Sequence, residues 1–192
     1  MMSLWDALRM NMMISYQELV RTFPSVPPLN FSTPNVGVSQ KKIDAEIKSL
    51  TVSLARPDEQ KGDITAGMEA ITPIWRESLQ EALDRMTIFR DSSPNTVSLN
   101  VKVLALDVPA FGVSMTTKAI ARYEIINRAN GDIIYTQDIE STGTVPASYA
   151  FYGIVRARES VNRAVQNNIT QFLQALESVD LSRPMFPVRV AK

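Results

Sequence analysis

The chain has 192 residues, of which 45% are hydrophobic and 21% are charged, a globular composition with enough chain for one domain and its own core. Its 20 Lys and Arg balance its 20 Asp and Glu, so the composition gives no support for nucleic-acid binding, which draws on a basic excess. The absence of Cys and His excludes disulfides, zinc sites built from those residues, and Ser-His-Asp or Cys-His catalysis.

Residues 1–22 predict an N-terminal amphipathic helix. Its apolar side chains form one stripe: Leu4, Trp5, Leu8, Met12, Leu19 and Val20. Packing on the domain is favoured over a membrane-surface or partner anchor, because the polar face is not rich in Lys and Arg. The segment lacks the basic and apolar regions of an export signal, there is no Cys to accept a lipid, and no apolar run reaches the roughly 20 residues of a membrane helix.

Residues 23–44 predict a Pro-rich linker. Four prolines fix an extended path, which suits a spacer or a strap across the domain: Pro24, Pro27, Pro28 and Pro34. The tail 181–192 holds Pro184 and Pro187 and is also predicted to be extended.

The range 45–180 is interpreted as a single α/β domain that opens with a strand at 45–54. The segment 68–86 then predicts the first strong helix, with one continuous apolar stripe. Proline is awkward inside a helix. We therefore expect the regular helix to start with Thr72 as N-cap and Pro73 at the first helical position.

Three strands with short loops are predicted next, at 97–106, 115–127 and 133–142. The pair Asn130-Gly131 is typical of a hairpin turn, so the three strands form an antiparallel meander. Alternation places one set of apolar side chains on the core face: Leu99, Val101, Val103, Ala105, Ala119, Ala121, Tyr123, Ile125, Ile133, Tyr135 and Ile139.

A second strong helix is predicted over 152–178. Its apolar stripe runs through Val161, Ala164, Val165, Asn168, Ile169, Phe172, Leu173 and Leu176. The pattern predicts an α+β fold, a two-layer sandwich with a mainly antiparallel sheet. Both helices cover one face of the sheet and the opposite face is left to solvent.

The search for chemistry yields no catalytic residue, no metal ligand and no cofactor. Paired carboxylates occur at Glu77 with Glu81 and at Asp138 with Glu140, and plain surface charge is the favoured interpretation of both pairs. Three acidic residues lie in one loop, Asp58, Glu59 and Asp63, but their spacing is not that of a calcium-binding loop. There is no G-x-S-x-G, P-loop or G-x-G-x-x-G motif.

Aromatic residues crowd the stretch before the last helix. Tyr149, Phe151 and Tyr152 are interpreted either as core beneath the helix N-terminus or as the lining of an interface or ligand groove. The apolar loop residues Val108, Pro109, Phe111 and Val113 extend that surface. Two interpretations apply to the arginines near the start of the last helix, Arg156, Arg158 and Arg163. One is phosphate binding, and the other, which is favoured, is structural pairing with Glu159. The candidate ligand- or partner-binding residues are Phe111, Tyr149, Phe151, Tyr152 and Arg156.

The segment 46–179 resembles small bacterial cell-envelope lipoproteins of the YajG type and the auxiliary lipoproteins of ABC-type transport systems. The likeness is carried by the helix ITPIWRESLQEALDRMTIF, the strand VSLNVKVLAL, the hairpin IARYEIINRANGDIIYTQDI and the closing helix VNRAVQNNITQFLQAL. The residues that match the sequence pattern of that group are Trp75, Leu79, Ala82, Leu83, Gly131 and Tyr135. The sequence departs from that group in having no lipidated Cys.

The resemblance implies a non-catalytic cell-envelope domain that binds a protein partner or a lipid, as an accessory subunit of an envelope transport or assembly complex. It implies a periplasmic or outer-membrane location if an export signal precedes Met1, and a cytoplasmic one otherwise. Membrane association would then come from a lipid anchor or from the N-terminal helix, and a homo-oligomer fits such a role. Two alternatives stay open: a structural subunit of a phage or secretion assembly, and an enzyme using carboxylates in a pocket beside Tyr149–Tyr152.

Overall fold

The structure, a computed structural model, describes Leu29 and residues 31–180. The predicted helix 1–22, the tail 181–192 and most of the linker before Phe31 lie outside the described residues. From Phe31 onward the linker lies along the first long helix: Ser39 donates its backbone N–H to Met86 O at 2.8 Å, and Phe31 is buried in the core. Within the described part of the chain, no helix combines the length and the apolar character that crossing a membrane requires.

A four-stranded sheet forms one layer, in the order β1-β2-β3-β4. The strands are β1 (Glu46–Leu54), β2 (Thr96–Asp107), β3 (Met115–Asn127) and β4 (Ile133–Val145). The predicted meander is confirmed, since β2, β3 and β4 pair antiparallel. Strand β1 pairs parallel with β2, because a helix carries the chain back between them.

Two helices form the other layer: α1 (Ile71–Met86) and α2 (Gly153–Ser178). Their apolar stripes share one core with the same sheet face, as the α+β sandwich predicts. Tyr123 of β3 stacks on Phe172 of α2 with ring centroids 4.0 Å apart, and Trp75 of α1 is fully buried in the same core.

Helix α1 starts earlier than predicted. A short 3-10 helix, Met68–Ala70, leads directly into Ile71, and Ala70 rather than Thr72 is the N-cap. Pro73 is therefore the third helical residue, where its missing N–H costs no helical bond because the first four N–H groups have no partner within the helix. The Thr72 hydroxyl donates back to Glu69 O at 3.2 Å.

The contact between α2 and β4 depends on Gly143. A Cβ at that position would overlap the backbone of Ser160 and Ala164 on the helix, so only glycine allows this close approach. Buried hydrogen bonds complete the seam. The Ser141 hydroxyl donates to Ala164 O at 2.8 Å, and the Thr117 and Ser160 hydroxyls lie 2.7 Å apart.

Asn168 lies in the apolar stripe of α2 and is fully buried, with both ends of its amide bonded. Its Oδ1 accepts from the Tyr123 hydroxyl at 2.9 Å, and its Nδ2 donates to Ile139 O and to Ser141 Oγ at 3.0 Å each. A buried amide is stable here because every group finds a partner.

The prediction that Ile133 faces the core is wrong. The pairing of β3 with β4 shifts between Ile125 and Ile126, so Ile126 pairs with Ile133 while Ile125 pairs with Tyr135. The extra residue reverses the alternation, as a β-bulge does. Tyr135 keeps its place against Phe172, whereas Ile133 is 55% exposed.

The sheet face opposite the helices is only partly open to solvent, which corrects the prediction of a wet face. The chain between Ala55 and Gly67 covers one end of it, over a small buried cluster of Ala55, Leu104, Ala105 and Ile120. Ala105 was predicted to face the main core. It joins this cluster instead, because the β2–β3 register shifts between Val103 and Ala105.

Candidate functional site: an apolar end of the sheet

Two loops meet at one end of the sheet, because β2 and β4 both finish there. Loop 108–114 joins β2 to β3, and loop 146–152 joins β4 to α2. Both expose large apolar side chains. We define the apolar end by the exposed residues Phe111, Val113, Tyr149, Phe151, Tyr152 and Ile154. Phe111 is 88% exposed and Phe151 is 91% exposed, so both phenylalanines project from the body of the domain.

These exposures decide between the two interpretations of the aromatic stretch. Tyr149, Phe151 and Tyr152 do not form core beneath the helix, since each is exposed. Phe151 and Tyr152 contact each other edge to face, with centroids 5.5 Å apart, and not the main core. Phe111, Tyr149, Phe151 and Tyr152 are thus all exposed to solvent, and their role in binding stays a prediction.

A groove of about 430 Å³ lies between loop 108–114 and the beginning of α2. Its lining is mostly apolar and includes Val108, Pro109, Phe111, Met115, Ile154 and Ala157. Met115 and Ile154 were not singled out from the sequence. Only the position of Ile154, two residues after the aromatic run, signals that it belongs to this surface.

Arg156 fixes the two loops against each other. One guanidinium nitrogen, Nη1, donates to Ala150 O at 2.6 Å and to Phe151 O at 2.9 Å in loop 146–152. The other, Nη2, donates to Gly112 O at 3.2 Å in loop 108–114. Arg156 was a candidate ligand-binding residue, and in the structure its donors hold backbone carbonyls of the apolar end.

The predicted structural pairing with Glu159 is found for Arg163, whereas Arg156 donates to backbone carbonyls. Glu159 lies one helical turn before Arg163 and accepts from its Nε at 2.8 Å. The Arg163 guanidinium also donates to Thr144 O at 2.9 Å and lies 5.4 Å from the centroid of the Tyr149 ring. Glu159 and Arg163 therefore form an i,i+4 ion pair next to the apolar end.

Charge is missing from both segments that build the apolar end. Residues 108–117 and 141–155 contain no Asp, Glu, Lys or Arg, although 21% of the chain is charged. Lys118, the first charged residue after loop 108–114, pairs with Glu140 at 2.8 Å. The two loops are therefore uncharged, and the residues that border the two segments balance, with Asp107 and Glu140 acidic and Lys118 and Arg156 basic.

The carboxylates considered as catalytic groups lie elsewhere, and three of the four have cationic partners: Glu81, Asp138 and Glu140. Asp138 accepts from Arg122 Nε at 2.6 Å and from Lys61 Nζ at 2.5 Å. Hydrogen bonding by the Arg122 guanidinium, reinforced by Lys61, lowers the pKa of Asp138 to about 2. Such a group stays ionised at neutral pH and is poorly suited to general acid–base chemistry there.

On α1, Glu81 accepts hydrogen bonds from Thr33 and Arg85, and the bond from Thr33 is the main cause of its lowered pKa. Glu77 is exposed to solvent.

The acidic loop considered for a metal ion also forms ion pairs. Glu59 accepts from Lys102 Nζ at 2.7 Å and from the Arg56 guanidinium at 3.3 Å, and its hydrogen bond with Lys102 is the main cause that lowers its pKa to about 2. Among Leu29 and residues 31–180, no group of three or more acidic residues is placed to hold a metal ion.

Comparison with known proteins identifies the fold but no family. No protein-family model matches the chain, and no curated protein matches it. The protein XCC0632 from Xanthomonas campestris, of the family DUF330, superposes with a TM-score of 0.50 at 12% identity, covering 74% of this chain and 88% of that one.

A minor lipoprotein from Acinetobacter baumannii matches at 9% identity over 68% of this chain and 93% of that chain, with a TM-score of 0.41. The PelC dodecamer from Paraburkholderia phytofirmans matches at 12% identity over 77% and 95%, also with a TM-score of 0.41. The match to XCC0632 shows a shared fold.

Proposed function

We propose that the protein is a non-catalytic, lipoprotein-like domain of the bacterial cell envelope that binds a protein partner or a lipid through its apolar end. The observation that carries the proposal is the exposure of Phe111 and Phe151 at the tips of two adjoining loops. Exposed apolar clusters on an otherwise well-buried domain mark binding surfaces. The envelope assignment rests on the resemblance seen in the sequence, and an accessory role in a transport or assembly complex follows from it.

Two features support binding rather than catalysis. The groove at the apolar end is lined by apolar side chains, and its one charged side chain, Arg156, donates to backbone carbonyls. The carboxylates Asp138 and Glu140 lie on the sheet face opposite the helices, each paired with a cation. The apolar end therefore offers contact area without a proton donor or acceptor tuned for chemistry.

Site-specific photocrosslinking in the cells that make the protein tests the proposal. Phe151 is replaced by the photoreactive amino acid p-benzoylphenylalanine, and a control variant carries the same group at Asn130 in the β3–β4 hairpin, at the opposite end of the sheet. We expect an adduct from position 151 and none from position 130, read by gel shift for a protein and by mass for a lipid. No adduct at 151, or equal adducts at both positions, would contradict the binding role.

Cell fractionation tests the envelope assignment separately. The full gene product is expected in the envelope fraction. A product found entirely in the cytosol would remove the envelope part of the proposal and leave the binding surface to be judged by the crosslinks alone.

A further inference from the structure

We infer that the surface met by the apolar end is a lipid bilayer, with Phe111 and Phe151 entering the boundary between headgroups and acyl chains. The inference rests on the proposed binding role of the apolar end and names its partner. Its basis is the combination of shape, charge and backbone hydrogen bonding at the two loop tips.

The shape of the apolar end suits insertion. The two most exposed side chains occur on separate loops, at 88% and 91% exposure, so they extend as two tips and not as one flat face. Tyr149 and Tyr152 are about half exposed beside them. Aromatic residues with a polar tip are enriched at membrane–water interfaces, where one end of the side chain is apolar and the other is hydrated.

Three backbone carbonyls of these loops have hydrogen-bond partners within the domain. Irregular backbone in lipid is unfavourable because its polar groups lose their water partners. Here Arg156 satisfies the carbonyls of Gly112, Ala150 and Phe151 from within the domain. These three carbonyls can therefore leave water with their hydrogen bonds kept. A protein partner would require no such internal satisfaction, because interfaces supply hydrogen bonds of their own.

The charges around the apolar end indicate which lipid headgroups the surface would require. Many interfacial segments combine an apolar face with Lys and Arg that attract anionic lipids. The segments 108–117 and 141–155 carry no charge, and the four residues that border them balance, since Asp107 and Glu140 are acidic and Lys118 and Arg156 are basic. Lys118 is paired with Glu140. Binding is therefore expected to depend on apolar contact, to need no anionic lipid and to tolerate salt.

Vesicle flotation with the full chain tests the inference. The probe is a vesicle of phosphatidylcholine alone, and the test variant carries Phe111→Ser and Phe151→Ser. The control variant is Ile133→Ser, which removes an apolar side chain that is 55% exposed at the other end of the sheet. We expect the parent and the control to float equally. The test variant should lose about tenfold in affinity for each phenylalanine, in line with the transfer free energy of that side chain.

Salt and lipid composition sharpen the result. Affinity should change less than about twofold between low salt and 0.5 M, where the Debye length falls below about 5 Å. Adding phosphatidylglycerol should not be required. All variants must keep the circular dichroism spectrum and melting midpoint of the parent, as expected for exposed side chains.

Several outcomes would overturn the bilayer inference. They are equal flotation of the parent and the double phenylalanine variant, a requirement for anionic lipid, or loss of binding in salt. Absent flotation together with a protein crosslink at position 151 would also overturn it while leaving the proposed binding role intact. Absent flotation together with an absent crosslink would contradict both.

Discussion

Helix α2 takes part in two regions of opposite character. From Ser160 to Leu176 it lies on β3 and β4, and the polar groups of Asn168, Ser141 and Thr117 are bonded within the domain. At its beginning, beside loops 108–114 and 146–152, apolar side chains face solvent. The first region is polar where a core is usually apolar, and the second is apolar where a surface is usually polar.

The two regions of α2 differ in what is needed to explain them. Internally satisfied polar groups specify how α2 sits on the sheet and need no ligand to explain them. Exposed phenylalanines have no such explanation within the domain. Substitutions in the seam should therefore change the free energy of unfolding strongly, and substitutions toward the apolar end should change it weakly.

The largest effect is expected for Gly143→Ala in the seam. The added Cβ overlaps the backbone of Ser160 and Ala164, which cannot move aside as a flexible side chain would. We expect a loss of about 3 kcal/mol in the free energy of unfolding, at the upper end of overpacking effects. Urea denaturation followed by circular dichroism measures it. Gly37→Ala is the matched control, since no atom lies within 4 Å of a Cβ there. Equal effects for the two variants would contradict the close-approach explanation.

Asn168→Leu should lower the free energy of unfolding by about 2 kcal/mol, because it leaves the Tyr123 hydroxyl buried without an acceptor. Burial also raises the pKa of that hydroxyl, because its environment disfavours the charged form. The double variant Tyr123→Phe with Asn168→Leu should recover part of the loss. A double variant whose loss equals the sum of the two single losses would show that the two groups are not coupled.

Arg156→Met should lower the free energy of unfolding by only about 1 kcal/mol, because its bonds hold loops and not the core. Its main effect is expected in hydrogen exchange, with faster exchange in peptides covering 108–114 and 146–152. Arg76→Met, an exposed arginine on α1, is the control. Unchanged exchange in both loops would show that Arg156 does not fix the apolar end.

The smallest effect is expected on the opposite sheet face, for Asp138→Asn. The folded-state pKa of Asp138, about 2, lies below its ordinary value of 3.8, so its pairing stabilises the fold above about pH 4 and is lost as pH falls toward 2. The variant should lose less than about 1 kcal/mol near neutral pH and show a shallower acid dependence. Glu77→Gln controls for the loss of one negative charge, and an acid profile as steep as the parent's would contradict the assignment.

The helices and strands were predicted well from the sequence, because apolar residues such as Trp75 and Val101 recur with the spacing of a helix, 3.6 residues, or of a strand, 2 residues. The prediction failed where a local irregularity changes the count. The 3-10 turn before Ile71 shifted Pro73 by two helical positions, and the bulge at Ile126 turned Ile133 outward. Neither irregularity has a strong local signal.

The exposed residues of the proposed site were named from the sequence, but their arrangement was not predicted. Phe111 and Phe151 stand out in the sequence, yet an aromatic in a loop reads the same whether it is buried or exposed. The role of Arg156 depends on Gly112, which is 44 residues away in the chain. Contacts at that separation follow from the packed fold and leave no spacing pattern to read.

The glycine at position 143 has one more consequence. Because α2 is seated directly on the backbone of β4, the helix cannot slide or roll without collision, and its first turn inherits that immobility. Arg156 is on that turn, and its hydrogen bonds to Ala150 O and Gly112 O restrict the movement of both loops. The domain therefore presents its proposed binding tips preorganised, and little conformational entropy would be lost if they engaged a surface.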